Sequence, residues 1–141
     1  MPIERDNGQW SFDTDVVVVG SGGCGLTAGI AAAQGGVEVL ILEKQARPLS
    51  NTQRSYGMIP AGGTRFQQAA GVHETPEDFA NDIFAKNKHQ SDPAMTLHLC
   101  RTAVDLVHWL VDDVGADLSF IDDFIYPGHS NHRMHSPPNR T

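Results

Sequence analysis

The chain has 141 residues, 40% of them apolar and 19% charged, with a formal net charge of −7. That length suits one domain with a modest core, and the acidic balance excludes the basic surface that nucleic acid or an anionic membrane requires. The first residues lack the apolar stretch of a signal peptide, no apolar run is long enough to span a bilayer, and Cys24 and Cys100 lie too far apart in sequence to read as a disulfide framework, so a reducing cytoplasm is the expectation.

Met1 to Phe12, the bulk of an arm over residues 1–13, is polar. Trp10 and Phe12 are its only large apolar side chains and are expected to pack near the first strand. Asp15 to Lys44 then reads DVVVVGSGGCGLTAGIAAAQGGVEVLILEK. It predicts a buried strand at Val16–Val19, a glycine turn, a helix of small residues, a second strand at Val37–Leu42, and an acid, Glu43, directly after it. The glycines fall as Gly20-x-Gly22-x-x-Gly25. On its own this pattern is weak. Between a strand and a helix, with an acid closing the second strand, it is the fingerprint of a dinucleotide site. Gly20 allows the turn, Gly22 lets backbone approach a pyrophosphate, and Gly25 lets helix and strand lie close. Free N–H groups and the dipole at the helix start favour the diphosphate. Glu43 suits a ribose 2′-hydroxyl and repels a 2′-phosphate, which disfavours NADP. NAD and FAD both remain open at this point. Cys24 reads as a small residue filling the tight turn.

Gln45 to Thr64 shows neither helical nor strand period and is rich in Ser, Asn, Gly and Pro. A loop this long inside a compact domain is usually a used one, and a plain NAD domain has no need of it. Thr75-Pro76-Glu77-Asp78 is a helix start, with Phe79, Ile83 and Phe84 on one face; Asp92-Pro93 opens a longer helix whose apolar residues recur up to Val111. Gly115 fits a left-handed position after that helix, and a short strand is expected at Leu118–Ile121. His98, Cys100 and His108 read as packing or surface residues, and Asp112-Asp113 and Asp122-Asp123 as solvated faces. The tail from Tyr126 to Thr141 carries His129, His132, His135, Arg133 and Arg140 without apolar period, and reads as a solvated or partner-covered loop. No Cys or carboxylate stands at ligand spacing beside these histidines, so no metal is expected.

Glu43-Lys44 after the second strand, the triplet Ser50-Asn51-Thr52, and the glycine-rich run ending Ala61-Gly62-Gly63-Thr64 together resemble the flavoprotein subunit family of fumarate reductase and succinate dehydrogenase. That family includes many soluble FAD-dependent dehydrogenases and ene-reductases. The resemblance runs from about Thr14 to the end, and the HRMHSPPNRT tail resembles the segment that enters the substrate-capping domain. It implies an α/β fold: a Rossmann-like FAD-binding βαβ core, incomplete here, with helices leading into a capping domain. Residues 14–121 would be the N-terminal part of the FAD domain, and residues 122–141 the start of the cap or a linker to it.

Residue by residue, the resemblance implies that Gly20, Ser21, Gly22, Gly23, Cys24 and Gly25 line the FAD pyrophosphate. Glu43 binds the adenosine ribose, with Lys44 and Gln45 beside it. Ser50, Asn51, Thr52, Gly57, Met58 and Ile59 run along the ribityl chain and isoalloxazine. Respiratory members bond the flavin covalently through a histidine in an SHT triplet. Asn51 stands in that place, so non-covalent FAD is expected. The implied reaction is oxidation or reduction of a carbon–carbon bond next to a carbonyl or carboxylate, on a small carboxylate-bearing or enone substrate. The family's acid-base arginine and clamping histidines lie past the point corresponding to Thr141, so no catalytic residue is assigned. His132, Arg133 and His135 are candidate substrate contacts at the pocket mouth. A second polypeptide is expected to supply the C-terminal remainder and to cover the open sheet edge. The other readings are an NAD-binding dehydrogenase domain and a truncated, non-catalytic partner chain.

Overall fold

The computed structural model describes residue 8, residues 12–46 and residues 50–138. The chain divides into two compact units, residues 1–54 and residues 55–141.

In the first unit, β1 (Val16–Val19) and β2 (Val39–Leu42) pair in parallel, Val16 opposite Val39 through Val19 opposite Leu42. Both are runs of β-branched and aliphatic residues, but β1 is not the buried strand the sequence suggests: Val17 and Val19 are exposed, since one helix covers only one face of the pair. The pairing is framed by side chains: Thr14 Oγ1 donates to the Glu38 carbonyl at 3.0 Å, and Asp15 Oδ2 accepts the Glu38 N–H at 2.9 Å. α1 (Gly23–Gln34) connects the strands. Its small residues let it lie close, and Gly29 is buried against Ile41. Gly36 turns the chain out of α1 at φ +84°, and Val37 and Glu38 are spent on that exit, so β2 opens two residues later than the apolar run suggests. Phe12 is 75% exposed, so it does not pack on the first strand as the sequence suggests; Trp10 lies outside the described residues. A polar arm offers no apolar neighbour to hold the ring. The run from Gln45 begins as bends, and α2 (Asn51–Arg54) closes the unit.

The second unit holds β3 (Ile59–Pro60), α3 (Arg65–Ala69), α4 (Pro76–Asn87), α5 (Pro93–Asp112), β4 (Ser119–Ile121) and β5 (Met134–Ser136). Thr75 caps α4 in a capping box with Asp78, Pro76 takes the first turn, and Asp92 caps α5 with its carboxylate on the Met95 N–H. α4 and α5 pack through Phe79, Ala80 and Cys100, with Ile83, Phe84 and Leu97 around them. α5 ends with the Ala116 N–H on the Leu110 carbonyl and Gly115 at φ +76°, as expected of that glycine.

Three elements depart from the sequence reading. The run Gln45–Thr64 is not a plain loop, since it contains α2 and β3. α3 is a short helix with a capping box between Thr64 and Gln67. The tail is not a solvated loop either: β5 is the central strand of an antiparallel sheet ordered β3-β5-β4, with all three of its residues buried. Strands of two or three residues show no period of their own, and the partner of Ile59 is His135, far along the chain. Residues 122–138 therefore fold in one unit with residues 55–121, across the boundary the sequence suggests at 121–122. Asp112 is not merely solvated but is gripped at both oxygens by Arg65, each at 2.6 Å.

Candidate functional site

The first unit gathers most of the predicted cofactor residues. β1 ends at Val19 and Gly20 follows at φ +99°, its N–H on the Leu42 carbonyl at 2.7 Å. The helix starts at once: Gly22 is the N-cap, in extended conformation, and as a glycine it makes no side-chain cap bond of its own. The Gly23 N–H donates to Thr52 Oγ1 at 3.0 Å. Among the described residues, the Cys24 and Gly25 N–H groups have no protein acceptor. A methyl at Gly25 would lie 1.9 Å from the Gly20 carbonyl oxygen, so turn and helix approach as closely as a residue without Cβ allows. Cys24 is exposed, so it is not the packed filler of the turn that the sequence suggests. The result is a helix N-terminus with one donor held by Thr52 and two, on Cys24 and Gly25, unspent, an arrangement suited to a diphosphate.

Glu43 stands beside this turn. Its Oε2 accepts the Ser21 N–H at 2.8 Å and the Ser21 hydroxyl at 2.7 Å; its Oε1 accepts the Gln45 N–H at 3.0 Å. Those bonds, the Gln45 N–H foremost and then the two from Ser21, lower its pKa to about 2. It is thus a carboxylate at any physiological pH, with a lone pair on Oε1 left for an external donor. Lys44 and Gln45 are exposed next to it. The Ser50 hydroxyl accepts the Gln53 N–H at 3.3 Å at the start of α2, Asn51 is exposed there, and Thr52 reaches back to Gly23. Gly20 to Gly25, Glu43, Ser50 and Thr52 are thereby brought together, and their donors and their acid fit a dinucleotide diphosphate and ribose.

Gly57, Met58 and Ile59 belong to the second unit. Gly57 turns at φ +65°, where a methyl would meet Pro137 Cδ at 3.2 Å. Ile59 then pairs with His135 in β5, and the Ala61 N–H donates to the Arg133 carbonyl at 2.9 Å. The His135 ring extends this pairing: Nδ1 faces the Ile59 carbonyl at 3.4 Å and Nε2 lies 2.9 Å from Thr64 Oγ1. A carbonyl only accepts, so Nδ1 carries the proton and the Thr64 hydroxyl donates to Nε2. Burial pushes the His135 pKa down, against the pull of the Ile59 carbonyl, and keeps the ring neutral.

The three tail residues expected at a pocket mouth do not converge on one. Arg133 and His135 are both fully buried, and His132 is half-buried with its carbonyl used by Gln67. Arg133 Nη2 pairs with Glu74 and, at 2.6 Å, with Asp82, and its guanidinium lies over the Phe79 ring, 4.6 Å from its centroid. Burial raises the Asp82 pKa, but the Ser130 N–H and Arg133 outweigh it and hold the group below its ordinary value. The charge of Arg133 is met within the fold. Among the described residues no group of three His, Cys, Asp or Glu side chains is placed to hold a metal ion.

Sequence reasoning missed the polar cluster of Thr64, Gln67 and Glu74, all buried. Its one visible signal was the Thr64-x-x-Gln67 spacing of a capping box.

Residues 15–137 match the model of the FAD binding domain family. The chain is 33% identical over 118 residues to the urocanate reductase of Eggerthella lenta, covering 84% of this chain and 19% of that protein. It superposes on the open conformation of a flavocytochrome c3 fumarate reductase with a TM-score of 0.79 and 32% identity, covering 89% of this chain and 22% of the other. The corresponding values for the 3-ketosteroid-delta4-(5alpha)-dehydrogenase of Rhodococcus jostii, solved with 4-androstene-3,17-dione, are 0.67, 34%, 75% and 22%. The chain thus spans about a fifth of the length of the relatives it matches. No helix among the described residues is long and apolar enough to cross a membrane.

Proposed function

Because the chain belongs to the FAD binding domain family, we propose that it holds the FAD of an oxidoreductase acting on a carbon–carbon bond next to a carboxylate or carbonyl. The observation that carries this reading is the start of α1, with the Cys24 and Gly25 N–H groups unspent and the ionised Glu43 beside it. The N–H groups of Cys24 and Gly25 would take the diphosphate, Glu43 Oε1 the adenosine ribose, and Ser50, Asn51 and Thr52 the chain beyond it. Gly57, Met58 and Ile59 would run along the isoalloxazine. When bound, the flavin supplies hydride exchange at its N5. This chain's residues bind and orient that group and exclude a 2′-phosphate at Glu43. We assign none of them to the proton transfer that accompanies the hydride.

Two of the relatives are named for the reduction of fumarate and urocanate, and a third was solved with a steroid enone. All three are alkenes conjugated to a carbonyl or carboxylate, and that shared chemistry supports the substrate class. His132, Arg133 and His135 serve this site, on our reading, by building the sheet behind Ile59 and not by touching substrate. We further propose that protein beyond these 141 residues supplies the acid-base group. Val17 and Val19 on β1, 53% and 83% exposed, and Met95 and Leu99 on α5, 67% and 59% exposed, support this, since apolar surface of that kind is normally covered. The exposed thiol of Cys24 and the buried one of Cys100, unpaired, fit a reducing cytoplasm.

Titrating the purified protein with FAD and following the visible bands tests the reading. The expected result is saturable binding, with all colour released on denaturation because Asn51 cannot bond the flavin. Saturable binding of NAD and none of FAD would overturn the assignment. Yellow colour left on the denatured polypeptide would overturn the non-covalent part alone.

A further inference from the structure

Gln67 is fully buried, and its amide spends every bond it has. Oε1 accepts the Gly63 N–H at 2.6 Å and the Thr64 N–H at 3.1 Å. Nε2 donates to Glu74 Oε2 at 2.7 Å and to the His132 carbonyl at 2.7 Å. Two partners can only donate and two can only accept, so the orientation of the amide is forced. The backbone of Gln67 is engaged as well, its N–H on Thr64 Oγ1 at 3.2 Å.

Three of the four partners sit at one end of a single strand pair. Gly63 and Thr64 follow β3 in sequence. His132 precedes Arg133, whose carbonyl takes the Ala61 N–H. Gln67 therefore clamps the two strands of the antiparallel β3–β5 pair together at one end, beyond the Pro60–Met134 match. Glu74 anchors the clamp in turn, because it is buried and paired with Arg133.

We propose that Gln67 is the positioning residue for the flavin-facing segment Gly57–Ile59, acting through this strand pair without touching the cofactor. The inference rests on the proposed placement of that segment along the isoalloxazine. A buried amide satisfied at every atom has one low-energy arrangement, and the backbone it grips inherits that definition. Loss of the clamp leaves the buried Thr64 N–H and the half-buried Gly63 N–H and His132 carbonyl without partners, which loosens the strand end.

The test compares three forms of the protein: the parent, Gln67→Met, which keeps the volume and removes all four bonds, and Val107→Ala, which opens a cavity in α5 far along the chain from the clamp. Thermal midpoint, FAD dissociation constant and flavin absorption are read for each. At matched loss of midpoint, Gln67→Met is expected to bind FAD about tenfold more weakly, with displaced visible bands, while Val107→Ala binds as the parent does. Unchanged affinity and bands in Gln67→Met, or an equal loss in Val107→Ala, would overturn the proposal. Amide exchange on the parent decides the matter even if Gln67→Met does not fold. The Gly63 and Thr64 N–H groups should be protected before FAD is added, and exchange at open-loop rates would refute the clamp. A parent that binds no FAD sinks the functional reading and leaves those amide rates as they are.

Discussion

The two units differ most in what they bury. The first has a single buried residue among those described, Gly29, and leaves Val17, Val19 and Leu42 half-exposed or more. The second buries Phe79, Ala80, Cys100, Val107, Ile121 and Met134, and also Thr64, Gln67, Glu74, Arg133, His135 and Ser136. A two-stranded parallel sheet with one helix cannot cover both of its faces. Its order is invested in a turn that keeps donors free. The second unit closes a core with paired polar groups inside it, His129 Nδ1 and Arg133 Nη1 being buried without a partner among the described residues. One unit is shaped by what it will bind, and the other by what it already holds.

That contrast can be broken or sharpened by experiment. The largest effect is expected at the Arg133 pairs. Arg133→Met leaves Glu74 buried without its cation and should cost about 3–5 kcal/mol by chemical denaturation, lost from residues 55–138. A loss under 1 kcal/mol, on the order of a surface pair, would mean the buried network is not what holds that unit. Next comes Gly25→Ala, which drives a methyl into the Gly20 carbonyl. It should cost about 1–3 kcal/mol, confined to the first unit, and abolish detectable FAD binding by fluorescence titration. Retained binding would separate the close approach of turn and helix from cofactor recognition.

Acid should part the two units in sequence. His135 has a depressed pKa, so its neutral form supports the fold above the ordinary histidine value and that support is lost as pH falls through it. His129, in the same unit and also lowered by burial, acts in the same direction. Glu43 has its pKa lowered from 4.5 to about 2, so its contribution is full above 4.5 and is lost only as pH drops through that interval. Hydrogen exchange read by segment should show residues 55–138 weakening first and the glycine turn holding into the carboxylate range. The reverse order would contradict the assignment of either group. Glu43→Gln should remove the later step and weaken FAD several-fold, measured by the same titration. The smallest effect is expected at Asp112→Asn: its pair with Arg65 is exposed at both ends, and the thermal midpoint should not move measurably.

Much of the fold was legible along the chain. The βαβ start was readable because Val16–Val19, the spaced glycines and Glu43 are contiguous and each has a local reason to be where it is. The starts of α4 and α5 were readable from Thr75-Pro76 and Asp92-Pro93 for the same reason. β3 and β5 were not, because Ile59–Pro60 and Met134–Ser136 have no period and exist only through each other. The histidine and arginine tail looked like a solvent-facing or substrate-facing loop because those residue types are usually exposed. Glu74 and Asp82, distant in sequence, are what allow Arg133 to be buried.

The sequence by itself determined the dinucleotide turn, the acid that reads a ribose, and the helices that follow, since backbone conformation and capping are decided among near neighbours. Only the tertiary structure decided that Glu43 is pinned by Ser21 and Gln45, that Arg133 and His135 lie inside, and that Gln67 ties Gly63 and Thr64 to His132. Those outcomes depend on which donor meets which acceptor across long stretches of chain. The low dielectric of a buried site makes each such match too costly to leave unmade.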